Sequence, residues 1–214
     1  MAAPVKIGQR AKDYGAKFST MTGKLKGIPA LNTSPLANPF CKAMNKSGRA
    51  ACGFCYSIAM LQGHRANCGP RWEDNGDFLA DKVHAAEYLP TPPNALYIRF
   101  HAHGELINLN HARNLIRIAN KAPRTTFTLW TKRPRLINKA MEAEGGKPEN
   151  LILIFSNDKT FNEAATLPPN FDKTFNNQTA EDKGAPTNCR GACLDCLKCY
   201  DKNDTTRHIF EPLK

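Results

Sequence analysis

The sequence predicts an α/β fold: a partial (β/α) barrel with mostly parallel strands and a cysteine-rich C-terminal tail. Through the middle of the chain, short runs rich in β-branched and aromatic residues alternate with segments of helical spacing, the pattern of a parallel sheet with crossover helices. The length, 214 residues, suits one domain of moderate size. Outside that alternation, Cys189, Cys193, Cys196 and Cys199 crowd into one short stretch near the C-terminus.

Taken in order, residues 1–26 are basic and rich in small side chains and read as an arm. Gly27–Asn32 is a short apolar run suited to a first strand. Residues 33–55, with Pro35, Pro39, Gly48 and Gly53, read as a loop long enough to need a local organiser, which a bound metal would supply. Tyr56–Gly63 is helix-like. Asp77–Tyr88 sets Phe78, Leu79, Val83 and Ala86 at helical spacing behind a capping aspartate, and the proline-rich 89–93 ends it. Ala95–Phe100 is a strand of the buried type. Asn110–Lys121 then places Ala112, Leu115, Ile116 and Ala119 on one helical face. Thr125–Trp130 is the next strand, Pro134 opens a helix, Gly145-Gly146 closes it, and Leu151–Phe155 is a strand ending in Ser156-Asn157-Asp158. One more short strand is expected from Phe171 to Phe175. Right-handed crossovers would put any site at the C-terminal strand ends. The division that follows is an arm (1–26), a barrel (27–175) and a cysteine-rich tail (176–214).

Thirty Lys and Arg against 19 Asp and Glu give a formal charge of +11, which suits nucleic acid or another anionic partner and equally suits a well-solvated surface. The first ten residues hold no apolar signal core, and no run approaches the roughly 18 apolar residues of a membrane span. The expected location is therefore the cytoplasm, without a membrane partner. There, eight cysteines point to metal or catalysis rather than to disulfides.

The tail spacing C-x3-C-x2-C-x2-C suits one loop wrapped round an iron–sulfur cubane. Zinc favours two separated C-x2-C pairs, so Cys52 and Cys55 joined to two tail cysteines form the zinc alternative. At the front, Cys52-Gly-Phe54-Cys55 follows Cys41, and three thiolates on a four-iron cluster leave one iron open; Cys68 as a fourth ligand would close it. This strand, three-cysteine loop and helix resemble the opening of radical S-adenosylmethionine (SAM) enzymes. The resemblance implies that His103-Gly104-Glu105, at the end of the next strand, binds the methionyl amino group of SAM. The long Cys41–Cys52 spacing and a histidine where glycine is usual depart from that pattern. The chain also resembles the phage gene-product-eighty-eight family over roughly residues 28–200. Shared features are the Cys-x-x-Cys-Tyr at 52–56, the His-x-x-Gly-acid of 101–105, the Phe-Thr-Leu-Trp-Thr-Lys132 strand, Ser156-Asn-Asp158 and the tail ending Cys199-Tyr200. This second resemblance implies iron–sulfur chemistry on a partial barrel, in the host cytoplasm, and leaves the substrate open.

Among the remaining polar residues, His101 and His103 suit hydrogen bonding in a polar cleft better than metal ligation. Arg99 is expected at the surface. Lys132, Arg133 and Arg135 offer an anion site or a solvated face, and Asn157 and Asp158 line the cleft or cap a turn. Trp72, Trp130 and Phe54 suit core or cluster shielding. Two functions follow. One is an iron–sulfur enzyme, with one or two [4Fe-4S] clusters, possible SAM binding and an external electron donor. The other is a metal-stabilised, non-enzymatic nucleic-acid-binding protein.

Overall fold

The computed structural model describes residues 15–48, 50–160, 165–178 and 187–212. Its centre is a six-stranded, all-parallel sheet in sequential order: β1 (Ala30–Leu31), β2 (Tyr97–Phe100), β3 (Thr126–Thr131), β4 (Leu151–Thr160), β5 (Lys173–Gln178) and β6 (His208–Pro212). Each strand pairs with its successor and the sheet stays open, which is a partial β/α barrel. The helices are α1 (Pro39–Lys46), α2 (Ala50–Gly53), α3 (Tyr56–Gln62), α4 (Gly69–Asp81), α5 (Leu109–Lys121), α6 (Pro134–Ala143) and the single turn α7 (Cys193–Cys196).

Register sorts the strand residues into two faces. Ile98 aligns with Phe127 and Leu151, and Phe100 with Leu129 and Leu153. These apolar rows pack with Leu115, Ile116, Ile118, Ile137, Ala140 and Met141 of α5 and α6 to form the main core. The intervening row, Arg99, Thr128 and Ile152, lies on the opposite face. There Ala30, Trp130, Ile152 and Ile154 are covered by Met21, Leu25 and Ile28 from one end of the chain and by Tyr200, Leu197, Cys193 and Cys199 from the other. Both faces are covered, so β3 is buried along all but its first residue, its threonines included.

Local chemistry sets the helix ends. Asn38 caps α1 by accepting from Phe40 N (2.9 Å), with Pro39 in the first turn. Asn108 caps α5 by accepting from His111 N (3.0 Å). Residues 33–55, expected to be a loop, contain α1 and α2. Asp77 lies inside α4 instead of capping a helix: Pro70 starts that helix earlier, and it ends where Lys82 turns extended (φ −149°, ψ 171°). The described part of the arm packs inward through Ala16, Met21 and Leu25, and Ser19 bridges Ala30; residues 1–14 lie outside the described residues. The expected 175/176 boundary falls within β5, and β6 lies beyond any strand the sequence suggested. No helix among the described residues is long and apolar enough to cross a membrane.

One side chain locks the α4–α5 crossing. Asn114, fully buried, donates to the carbonyls of Leu79 (2.8 Å) and Lys82 (2.7 Å) and accepts from His84 N (2.9 Å). Truncation strands three backbone groups, those of Leu79 and His84 buried. Asn114→Ala is therefore expected to lose about 2–3 kcal/mol of stability in urea denaturation; an unchanged midpoint would show that the crossing holds without it.

Candidate functional site

A cavity of about 190 Å³ opens at the C-terminal ends of the strands. From the sheet side it is lined by Arg99 and the post-β2 residues His101 to Glu105, by Trp130 and Lys132 of β3 and its exit, by Ser156 of β4 and by Phe175 of β5. From the helical side come Cys41, Cys52, Cys55, Tyr56 and Ser57. Three separate elements deliver the three thiols: Cys41 lies on α1, Cys52 on α2, and Cys55 immediately precedes α3. Asn45 ties the first two together, its amide donating to the carbonyls of Cys52 (2.8 Å) and Gly53 (3.3 Å). Gly53 is required there, because a Cβ would lie 2.8 Å from the backbone carbon of Gly48.

Burial pushes the Cys41 thiol well up, and Glu105, Cys55 and Cys52 push it further, against the pull of Lys132. Cys52 is raised by burial and by Cys55, with Lys132 opposing. Cys41 and Cys52 thus share one buried environment, with Lys132 as the positive group that opposes the rise at both. Cys68 is not brought to this cavity: it packs beside Met60, Leu61 and Trp72, its thiol 3.8 Å from Asn67 Oδ1. The other four cysteines line a second, tighter cavity of about 20 Å³ with Tyr200 and Ile209. It is shaped by α7, by Leu197 at φ +52°, and by Asn188, which accepts from Phe210 N (2.9 Å) and donates to His208 O (2.8 Å) of β6. Burial also raises Cys193 and Cys199, with the Arg99 guanidinium pulling both down. Among the described residues, no three His, Cys, Asp or Glu side chains converge closely enough to hold a metal ion.

The segment after β2 is the most constrained part of the mouth. Gly104 has φ +91°, and a Cβ there would lie 2.2 Å from Thr33 Oγ1, so only glycine fits. The buried Glu105 carboxylate accepts from Thr131 Oγ1 (2.6 Å) and from the amides of Leu106 (2.7 Å) and Lys132 (2.7 Å). His103 shares a hydrogen bond with Ser57 Oγ through Nδ1 (2.8 Å) and stacks on Trp72 at 4.6 Å between centroids. Ile107 N donates to His111 Nδ1 (3.2 Å), which leaves the His111 proton on Nε2, facing His101 Nε2 at 3.3 Å. His101 and His103 therefore make hydrogen bonds in a polar cleft.

Several other residues stand apart from their expected places. Arg99 is not a surface side chain: it lies on the cavity side with its guanidinium 3.7 Å over the Trp130 ring. Lys132 lines the cavity and donates to Ser156 Oγ (2.6 Å). Arg133 donates to the carbonyls of Leu106 (2.9 Å) and Ile107 (2.8 Å), while Arg135 is exposed. Asn157 is buried and donates to Asn176 (3.2 Å), and the Asp158 charge reaches Cys52. Phe54 is 86% exposed and Tyr56 60%. Sequence reasoning missed Asn32, Ser57, His111 and Tyr200; the polar run Asn32-Thr33-Ser34 straight after an apolar strand was the available signal.

A family model described as Gene product 88, a phage protein family, matches residues 5–206. The chain belongs to this family. No curated protein and no solved structure matches the chain. The Gene product 88 match spans both cysteine sets and the strands β1 to β5, ending just before β6.

Burial lowers the family member's His101 and His103 to a pKa of about 3, with Arg99 adding to the effect, and lowers His111 well below its ordinary value. In the unfolded chain these rings titrate near 6.5, so the unfolded state binds more protons between about pH 6.5 and 3. Stability is therefore fully present above pH 6.5 and is lost as pH falls through that window. Urea midpoints measured from pH 7.5 to 5 should drop, and His111→Gln should flatten the slope; equal slopes would show that these rings do not set it.

Proposed function

We propose that this protein carries an iron–sulfur centre on Cys41, Cys52 and Cys55 with one iron open to a ligand in the barrel mouth, and a second metal centre on Cys189, Cys193, Cys196 and Cys199. The observation that carries this reading is that three thiols, from three short elements, line one cavity at the strand ends, with Cys68 elsewhere. The donor set fits. Thiols alone select soft metals, and Cys41 and Cys52 are both raised in pKa by burial.

When bound, such a cluster supplies one-electron or Lewis-acid chemistry at its open iron. The chain's own residues shape the remainder of the mouth. Lys132 and Arg99 place positive charge beside the thiols, and buried neutral histidines close the floor. A carboxylate offers about four acceptor positions; Glu105 uses three, which leaves one for a ligand ammonium. SAM, with an amino group to place there, is the proposed ligand of this site, held by Glu105 beside His103 and Gly104.

Anaerobic reconstitution tests this reading. About four irons per cluster and a broad visible absorbance are expected; Cys41→Ala should remove the front cluster, and Cys68→Ala should leave it intact. Zinc without iron uptake would sink the iron reading. An EPR spectrum of the front cluster indifferent to SAM would sink SAM alone.

A second reading rests on a different observation. No Asp or Glu occurs between Asp13 and Glu73, while Lys42, Lys46, Arg49, Arg65 and Arg71 do, and this stretch carries the exposed rings of Phe54 and Tyr56. In this reading the metals serve folding, and the cationic cap with its free aromatic faces binds a nucleic acid strand. A single-stranded oligonucleotide should then bind with affinity falling steeply with salt, and Phe54→Ala should weaken binding roughly tenfold. Salt-independent binding, or an unaffected Phe54→Ala variant, would count against it.

A further inference from the structure

The two cysteine cavities are neighbours across a layer of three side chains. Arg99 sits in β2, in register with Ala30 of β1 and Thr128 of β3, on the face turned away from α5 and α6. Both Arg99 and Trp130 line the front cavity. The Trp130 ring lies 5.8 Å, centroid to centroid, from Tyr200, which is 1% exposed and lines the tail cavity. The guanidinium is held flat on Trp130 at 3.7 Å and lies beside the Tyr200 hydroxyl. Its field reaches Cys193 and Cys199 on one side and His103 on the other.

No carboxylate pairs with Arg99 among the described residues, and its Nε, the Trp130 indole N–H and the Thr128 hydroxyl are buried without hydrogen-bond partners. Arg99 is half-buried, and holding its guanidinium there without a carboxylate carries a desolvation cost, part of which the Trp130 face offsets. Stacking also orients the planar group against the ring. What remains is a permanent positive charge with a cysteine set on either side.

Resting on the iron–sulfur reading above, we infer that Arg99 is a positive charge shared by the two centres and raises the reduction potential of both. A cubane with four thiolates carries roughly −2 and becomes more negative on reduction. A fixed cation in a low-dielectric layer stabilises the reduced form more than the oxidised one. One side chain therefore biases both centres in the same direction, and it acts through the field without touching a ligand.

EPR-monitored redox titration of the full-length, anaerobically reconstituted protein tests this. Arg99→Gln should move both midpoints to more negative potential with iron content unchanged, and Arg99→Lys should keep most of the wild-type values. If Arg99→Gln fails to fold, Thr128→Asp sets a carboxylate on the adjacent strand beside the guanidinium and should move both midpoints the same way. Two unmoved midpoints, one moved alone, or iron at one set only would overturn the shared role while leaving an iron–sulfur protein. Protein that takes up no iron would overturn the metal reading and this inference together.

Discussion

The Glu105 carboxylate is the tie on which the barrel mouth depends, because its three donors come from two strand exits. Thr131 and the Lys132 amide belong to the end of β3, while Leu106 belongs to the segment leaving β2. Its own carbonyl accepts from Asn38 (2.9 Å), the residue that caps α1, which carries Cys41. Arg133 closes the same loop by donating to Leu106 and Ile107. Burial raises this carboxyl's pKa, and the hydrogen bonds oppose that rise. Such a buried group is tolerable only while both its oxygens are partnered, as they are here. The position of the first cysteine is thus set by a network centred outside the cysteine loop.

The sequential strand order has a second consequence. With α5 and α6 packed on one face, the other face must find different cover, and the ends of the chain provide it. Tyr200 and Leu197 bring the tail cysteines in with them, so the second thiol set is built into the barrel's inner side. That places Arg99 between the two sets. An arginine in a strand flanked by Ile98 and Phe100 reads as an outward residue in an ordinary half-buried sheet. Here both faces are covered, and the outward direction leads into the protein.

The strands were legible where a chemical preference acts locally. Ile98, Phe127, Leu129 and Leu153 belong to apolar runs that can only be buried, and Gly145-Gly146, at φ +82° and +129°, marks the end of α6 as a double glycine should. That Cys52 and Cys55 face one cavity was also legible, since C-x2-C spacing keeps the two close. What stayed hidden is what depends on partners distant in sequence. The helices α1 and α2 were obscured by Pro35, Pro39 and Gly48, which read as breakers; Asn38 and Asn45 convert them into a cap and a turn. Strand β6 offers only Ile209 and Phe210 as an apolar pair, and its pairing with β5 supplies the rest. The separation of Cys68 from the front set follows from Trp72, Met60 and Leu61 packing beside it, which spacing alone does not encode.

The unequal room at the two thiol sets bears on how their roles divide under the proposed reading. The front cavity, about 190 Å³, is lined by charged and polar side chains from four strand exits, and its aromatic neighbour Tyr56 faces solvent. The tail cavity, about 20 Å³, is lined almost wholly by its own cysteines and apolar side chains and is stitched to β6 through Asn188. A ligand needs space and polar contacts; a structural or electron-relaying centre needs enclosure. Under the proposed reading, ligand chemistry falls to Cys41, Cys52 and Cys55, and the tail set anchors its segment against the sheet. Arg99 is the charged side chain that lines the first cavity and whose field reaches the second.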